Sequence, residues 1–557
     1  MAQYPGSPGN GEMMNEPLLI SSIIAYADRY HGGTEIVSRR VEGDIHRYTY
    51  KECHSRALKL AKALIAAGIR AGDRVGTLAW NGYRHLELYY AVSGIGAITH
   101  TINPRLHDDQ IVYIINHAED SVLFFDLTFL PLIERIADRC PNISRYVLMC
   151  GREHMPESSI IRGLLCYEEL IAAHDDDYCW PSIDETAPSS LCYTSGTTGN
   201  PKGALYSHRS TLLHSYATIA PNAFSLCSRD VVMPVVPMFH VNAWGLPYSA
   251  PQAGAKLVLP GPALDGESLH ELIEGEGVTF SAGVPTVWQG VLAYVEKSGH
   301  KFSSFRRIVI GGAACPPALM TAFRERHGVE VIHAWGMTEL SPVGSVCRLD
   351  ARHDHLPADE RQAVLEKQGQ AVFGLRMKIE DDKGNEVAWD GKSSGNLLVK
   401  GPWVIQRYYK GTSEEALQNG WFPTGDVATI DSDGYMSITD RSKDVIKSGG
   451  EWISSIEIEN IAMSHSAVNL AACIAAAHPK WDERPLLIIE KKAHASLAKD
   501  ELLAIFANRI AKWWLPDDVV FVDSMPIGST GKILKSELRK QFKDYLLESA
   551  TPQPGAD

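Results

Sequence analysis

The chain has 557 residues, 45% of them hydrophobic and 22% charged, with a formal net charge of −14. That length exceeds what one compact core holds, so two to four domains or subdomains are expected. The acidic balance and the lack of a long basic run argue against general nucleic-acid binding, and no apolar run reaches membrane-spanning length.

Residues 1–15 read as a disordered lead, polar up to Met14 and without the basic-then-apolar order of a signal peptide. Thr49 and Glu52 have the spacing of a capping box. They open a helix through Ala67, with Leu60 and Leu64 on one face and Gly68 as its stop. A short apolar strand at 74–79, a helix at 86–94 and a strand at 122–125 continue the chain. The same rhythm returns at 231–235, 254–259, 278–282 and 305–310, the last running straight into Gly311 and Gly312. Helices alternating with short apolar strands imply βαβ units.

The character changes near Asp440. Strands are expected at 435–439 and 443–447, with a polar break between them. Ser454 and Glu457 form a second capping-box pair, and Leu502, Phe506 and Ile510 mark an amphipathic helix ended by Pro516. The expected fold class is α/β: a large N-terminal domain of α/β subdomains with mostly parallel sheets, plus a small mobile C-terminal α+β domain. The body spans 16–440, the lobe 441–548 and a disordered tail 549–557. Ten scattered cysteines without a CxxC pair point to small core residues rather than a zinc or redox site, and to a reducing, cytoplasmic location.

One stretch, 193–203, reads YTSGTTGNPKG. Gly196, Gly199 and Gly203 permit close approach of a ligand to the backbone. Thr194, Ser195, Thr197 and Thr198 supply hydroxyls, consecutive N–H groups can form an anion nest, and Lys202 adds positive charge. A polyphosphate needs many donors, little bulk and some positive charge. The spacing is not that of the GxxxxGK[ST] loop, since Gly203 stands where Ser or Thr should be. Further along, WGMTE at 335–339 places an aromatic that can stack on a purine beside a carboxylate that can hold Mg²⁺. TGD at 424–426 sets Asp426 after a glycine turn. DRSKD at 440–444, SGGE at 448–451 and PIGSTGK at 526–532 follow.

These five segments, in this order, resemble the adenylate-forming superfamily of acyl-CoA synthetases, peptide-synthetase adenylation domains and luciferases, over roughly residues 48–538. Within it, PMFHVNAWG, GAKLVLPGP and SGGEWISS look most like medium- to long-chain fatty acyl-CoA ligases. The resemblance implies a ligase that joins a carboxylic acid to coenzyme A through an acyl-adenylate, at the expense of ATP. Thr194, Ser195, Gly196, Thr197, Thr198 and Lys202 would hold the β- and γ-phosphates. Gly312, Ala313 and Ala314, with His333, Ala334, Trp335 and Gly336, would enclose adenine. Thr338 would contact the α-phosphate; Glu339 and Thr194 would serve Mg²⁺. Asp426 and Arg441 would grip the ribose, and Lys443 would be the hinge of the lobe. Lys532 would be the catalytic lysine. Ser448, Gly449, Gly450, Glu451 and Trp452 would form the thiol tunnel, and His240 and Trp244 the acyl or pantetheine channel, with Trp244 a gate. Trp335 departs from the tyrosine often found there. A homodimer is an analogy with bacterial relatives, and no carrier domain is expected after Leu538. The alternatives are a ligase for a small acid, such as a methylthio-alkanoate or an aromatic acid, and a nucleotide-binding module without chemistry.

Overall fold

The computed structural model describes residues 13–157, 159–194, 200–441, 444–448, 451–507, 509–528, 532–543 and 545–550. Among them four sheets form. The first runs, in spatial order, through Leu165–Cys166, Arg145–Leu148, Asp120–Phe125, Arg74–Leu78, Ile98–Thr101, Pro188–Tyr193 and Gly203–Ser207. All its pairings are parallel except the last. The second holds a parallel centre, Glu330–Gly336, Arg307–Ile310, Phe280–Gly283, Val231–Pro234, Lys256–Leu259 and Glu35–Arg39, with antiparallel strands at both edges. Strands buried on both faces explain the short continuous apolar runs of the sequence.

The local signals act as expected at Thr49, whereas at Ser454 half of the expected capping box is seen, Ser454 Oγ accepting from Glu457 N–H at 3.2 Å. Helix Tyr50–Ala66 opens on a complete capping box: Glu52 N–H donates to Thr49 Oγ1 at 3.3 Å, and Thr49 N–H to Glu52 Oε2 at 2.8 Å. Leu60 and Leu64 are buried against the core. Strand 254–259 of the sequence reading shortens to Lys256–Leu259, because Gly254, at φ +69°, closes helix Leu246–Ala253. The ten cysteines are free, and all but Cys179 and Cys227 are buried. No described helix is long and apolar enough to cross a membrane.

Two features differ from the sequence reading. Residues 376–441 form a four-stranded antiparallel sheet, Arg376–Glu380, Gly395–Lys400, Phe422–Ile430 and Met436–Arg441. The polar break expected at 440–442 is therefore strand up to Arg441, because Asp426 pairs with Arg441 across the ladder. The next strand opens at Ile446, not Lys443. In the C-terminal part, Asp482–Lys491 lies between Val468–His478 and Ile446–Ser448, and Asp518–Val522 joins it in parallel. The expected helix through Ile510 stops at Ala504 and continues as turns and a short 3-10 segment, Lys512–Trp514. Leu502 and Phe506 are still buried, whereas Ile510 is half-exposed, so the apolar stripe is shorter than its spacing suggested.

Candidate active site

Three neighbouring parallel strands end side by side, with Gly283 paired to Ile310 and Ile310 to His333. Open α/β sheets bind nucleotides outside such carboxyl ends. Gly311 and Gly312 leave the central strand here, and Gly312 sits at φ +80°, where a side chain would be strained. A Cβ at Gly312 would lie 3.2 Å from Val284 Cγ1, 3.7 Å from Trp244 Cζ2 and 3.9 Å from Lys532 Cε. Lys532, near the C-terminus in sequence, is thus folded onto the crevice of the large body. Its backbone carbonyl accepts from Gly528 N–H at 2.7 Å. Its charge acts on both His240 and Asp426.

The floor beside Lys532 is a left-handed turn. Val241, Asn242, Ala243 and Trp244 all have φ between 48° and 55°, followed by Gly245 at 80°. Such backbone persists when neighbours over-determine it. Asn242 Nδ2 donates to Ser190 Oγ at 3.0 Å, and Tyr89 OH donates to Met238 O at 2.5 Å. Asn81 Nδ2 donates to Pro234 O and Val236 O, while its Oδ1 accepts from Met238 N–H. His240, just before the turn, is pushed down to about 4 by burial and by the charge of Lys532. Burial and the neighbouring charge thus disfavour the charged imidazole.

Trp335 stands one residue before the end of the neighbouring strand, its six-membered ring against Gly344, where a Cβ would fall 2.4 Å from Cζ3. Its indole N–H donates to Asp426 Oδ2 at 2.9 Å, and Arg441 Nε lies 2.7 Å from Asp426 Oδ1. The antiparallel sheet that the sequence did not reveal is what brings Asp426 and Arg441 here. Ala313 is exposed on the crevice and Ala334 is buried. His333 is also buried, its Nδ1 paired with Glu366 O at 3.0 Å, so that nitrogen is engaged on the side of 366–368.

Thr338 and Glu339 follow Trp335 in a short 3-10 turn. Tyr206 OH donates to Thr338 O at 2.5 Å, and Ile405 N–H to Glu339 O at 2.9 Å. Tyr408 OH donates to Glu339 Oε1 at 2.7 Å. Lys202 Nζ stands 4.9 Å above the Tyr408 ring. At the base of the glycine-rich loop, Thr194 N–H donates to Lys202 O at 2.9 Å and Lys202 N–H to Thr194 Oγ1 at 3.2 Å. Tyr408 therefore joins the lysine of the glycine-rich loop to the Glu339 carboxylate. The sequence reading missed it, since it lies in no glycine motif and 69 residues from Glu339.

Burial pushes the Glu339 carboxyl up, with Tyr408 opposing, and burial likewise pushes Asp426 up against the pull of Arg441. A reaction that needs both groups ionised is therefore lost on acidification at a pH above the ordinary carboxylate range. Tyr408→Phe removes a bond that favours the charged form of Glu339. The acid limb of the pyrophosphate-exchange profile is expected to move to higher pH in that variant; an unmoved limb would show that Glu339 does not control it.

Ser448 is not brought to this cluster. It lies on strand Ile446–Ser448 of the C-terminal sheet, where Arg484 Nη1 donates to its Oγ at 3.3 Å. Glu451 and Trp452 follow on the paired strand Glu451–Ile453. Ser195, Gly196, Thr197, Thr198, Lys443, Gly449 and Gly450 lie outside the described residues.

A family model for AMP-binding enzymes matches residues 25–409, and one for the AMP-binding enzyme C-terminal domain matches 457–532. A 3-methylmercaptopropionyl-CoA ligase of Ruegeria lacuscaerulensis is 54% identical, over 96% of this chain and 99% of its own. A medium-chain-fatty-acid–CoA ligase of Ectopseudomonas oleovorans is 52% identical, over 97% and 99%. Among solved structures, the anthranilate CoA ligase AuaEII in complex with anthranoyl-AMP superposes with a TM-score of 0.84 at 26% identity, covering 96% of this chain and 99% of that one.

Proposed function

The chain belongs to the AMP-binding enzyme family and is an AMP-forming acyl-CoA ligase, and from that premise we propose that it activates an apolar aliphatic acid of medium to long chain length, with Lys532 as the catalytic cation of the first step. The observation that carries the role of Lys532 is its side chain resting at Gly312, with its charge acting on His240 and Asp426.

A carboxylate is a poor acyl donor because its leaving group would be oxide. In the first step a carboxylate oxygen attacks the α-phosphorus of ATP, the bond to the β-phosphate oxygen breaks, and pyrophosphate leaves. The incoming carboxylate and the α-phosphate repel each other. In this reading Lys532 bridges them, and positioning and charge neutralisation supply most of the catalysis. Asp426 accepts from the ribose hydroxyls while Trp335 and Arg441 hold its orientation. Trp335 would help enclose adenine.

The residues present fit a magnesium ion. Glu339 offers a hard oxygen donor whose second oxygen is not the one Tyr408 engages, and Mg²⁺ is commonly held by one or two carboxylates together with substrate phosphates and water. Glu339 would hold it, with Thr194 nearby in the phosphate loop, and when bound it would offset phosphate charge. In the second step the thiol of coenzyme A attacks the acyl carbonyl, AMP leaves, and a thioester forms. Lys532 has to withdraw for this, so the lobe beginning near residue 441 turns about Lys443 and brings the 448–452 segment to the site.

A second reading, a small acid such as a methylthio-alkanoate, is favoured by Trp244. Its indole lies against Gly311 and Gly312, where a Cβ at Gly311 would fall 3.2 Å from Trp244 Cη2. In that setting it shortens the channel. A panel of acids of increasing chain length, with 3-methylthiopropionate included, assayed for AMP release with coenzyme A present, separates the two. A maximum at a medium-chain fatty acid is the expected result; a maximum at the shortest acids would replace it with the second reading. Trp244→Ala is expected to move the maximum toward longer acids, and an unchanged ranking would remove Trp244 from the channel.

A further inference from the structure

The last strand of the antiparallel sheet, Met436–Arg441, is fastened to the lobe by side chains that hold no nucleotide. Asp440 is 1% exposed. Its Oδ2 accepts from the backbone N–H of Ser455 at 2.7 Å, and Ser455 is the first residue of helix Ser455–Met463. The Ser454 hydroxyl donates to Thr439 O at 2.5 Å. Helix N-termini carry unpaired N–H groups and partial positive charge, so a carboxylate there is held by a bond and by the dipole.

Behind this contact is a buried cation. Lys535 Nζ lies 2.7 Å from Glu459 Oε1 and 2.6 Å from Ser455 Oγ. Its charge acts on Asp440, opposing the burial that pushes that carboxyl up. Lys535 opens helix Lys535–Phe542, in the turn of chain that follows Lys532. The segment between them is itself tied back, Leu534 N–H donating to Pro526 O at 2.8 Å. A strand of the body, a helix of the lobe and the segment carrying Lys532 therefore share one charge cluster.

Resting on the two-step reading above, we propose that Asp440 is a positioning residue for adenylation: its carboxylate latches the body strand to helix Ser455–Met463 and sets the lobe where Lys532 reaches Gly312. The carboxylate belongs to the body's sheet, while the helix end and the cation belong to the lobe. A turn of the lobe about a point after Arg441 parts them. The latch thus favours the lysine-in orientation and opposes the one that admits the thiol.

Asp440→Asn keeps the shape and removes the charge. Acid-dependent ATP–pyrophosphate exchange and thioester formation from supplied acyl-adenylate are measured separately. The exchange kcat is expected to fall about tenfold, as for loss of a charged hydrogen bond, with the KM for ATP unchanged and thioester formation equal to the wild type or faster. A structural defect lowers both half-reactions together and overturns the proposal, as does full exchange in Asp440→Asn. Should Asp440→Asn not fold, Ser454→Ala, which removes the bond to Thr439 O together with the cap on Glu457 N–H and leaves every charge in place, decides by the same split. No exchange in the wild type with any acid overturns the reading of the reaction and the latch with it, a result distinct from failure of the latch alone.

Discussion

Lys532→Ala is expected to lower acid-dependent pyrophosphate exchange on the order of 10²–10³-fold, the loss typical of removing one preorganised charge from a reacting oxyanion. Thioester formation from supplied acyl-adenylate should stay near the wild-type rate, because the phosphorus–oxygen bond that Lys532 helps to form already exists in that substrate. The expectation rests on place. Lys532 Cε would stand 3.9 Å from a Cβ at Gly312, and its charge acts on His240 and Asp426. Folding is checked by the thermal transition, which a half-buried lysine at the tip of a loop should affect little. Equal loss in the two half-reactions would mean that Lys532 holds the lobe together rather than serving the first step, and the assignment would fall.

Asp426→Ala is expected to cost on the order of 10²-fold in kcat/KM for ATP, since its carboxylate would lose charge-assisted hydrogen bonds to ribose of about 1.5–3 kcal/mol each. The loss should appear mostly as a raised KM, because the ribose is held alike before and during reaction. Two further effects follow from its neighbours. Trp335 loses the acceptor of its indole N–H, and Arg441 loses its ion-pair partner at 2.7 Å. The indole emission should therefore shift in the free enzyme, and an Asp426→Asn enzyme, which still accepts from Trp335, should recover the emission more than the KM. A variant with wild-type KM for ATP would remove Asp426 from the nucleotide site.

Much of this site was legible in the chain because its parts sit in glycine-rich turns, where composition betrays them. Thr194 and Lys202 at the ends of the loop, Gly312 after its strand, and Lys532 all lie in or beside such turns. The capping box at Thr49 was legible because both partners lie within one turn of helix. Tyr408 was not, because its bond to Glu339 depends on the path of the chain through two sheets and leaves no local mark. The antiparallel sheet of 376–441 escaped for a similar reason. Gly395–Lys400 is mostly buried, but Arg376–Glu380 and Met436–Arg441 are polar and largely half-buried, and their pairing is set by that central partner and its neighbour rather than by apolar runs of their own. The helix expected through Ile510 failed where spacing suggested a face but no third residue was deeply buried to continue it.

The left-handed run ending at Gly245 has a consequence for how the substrate range of such a protein can change. Val241 to Trp244 adopt a backbone that L-residues avoid at roughly 1–2 kcal/mol each, and the pins that keep them there, Asn81, Tyr89 and Ser190, come from the first sheet and its helices. Trp244 itself closes on glycines of the second sheet. On the proposed role of Trp244 in the acid channel, selectivity would be a joint property of the two sheets, which share one core. Drift in the first of them can retune which acid fits while every residue that touches the acid stays the same.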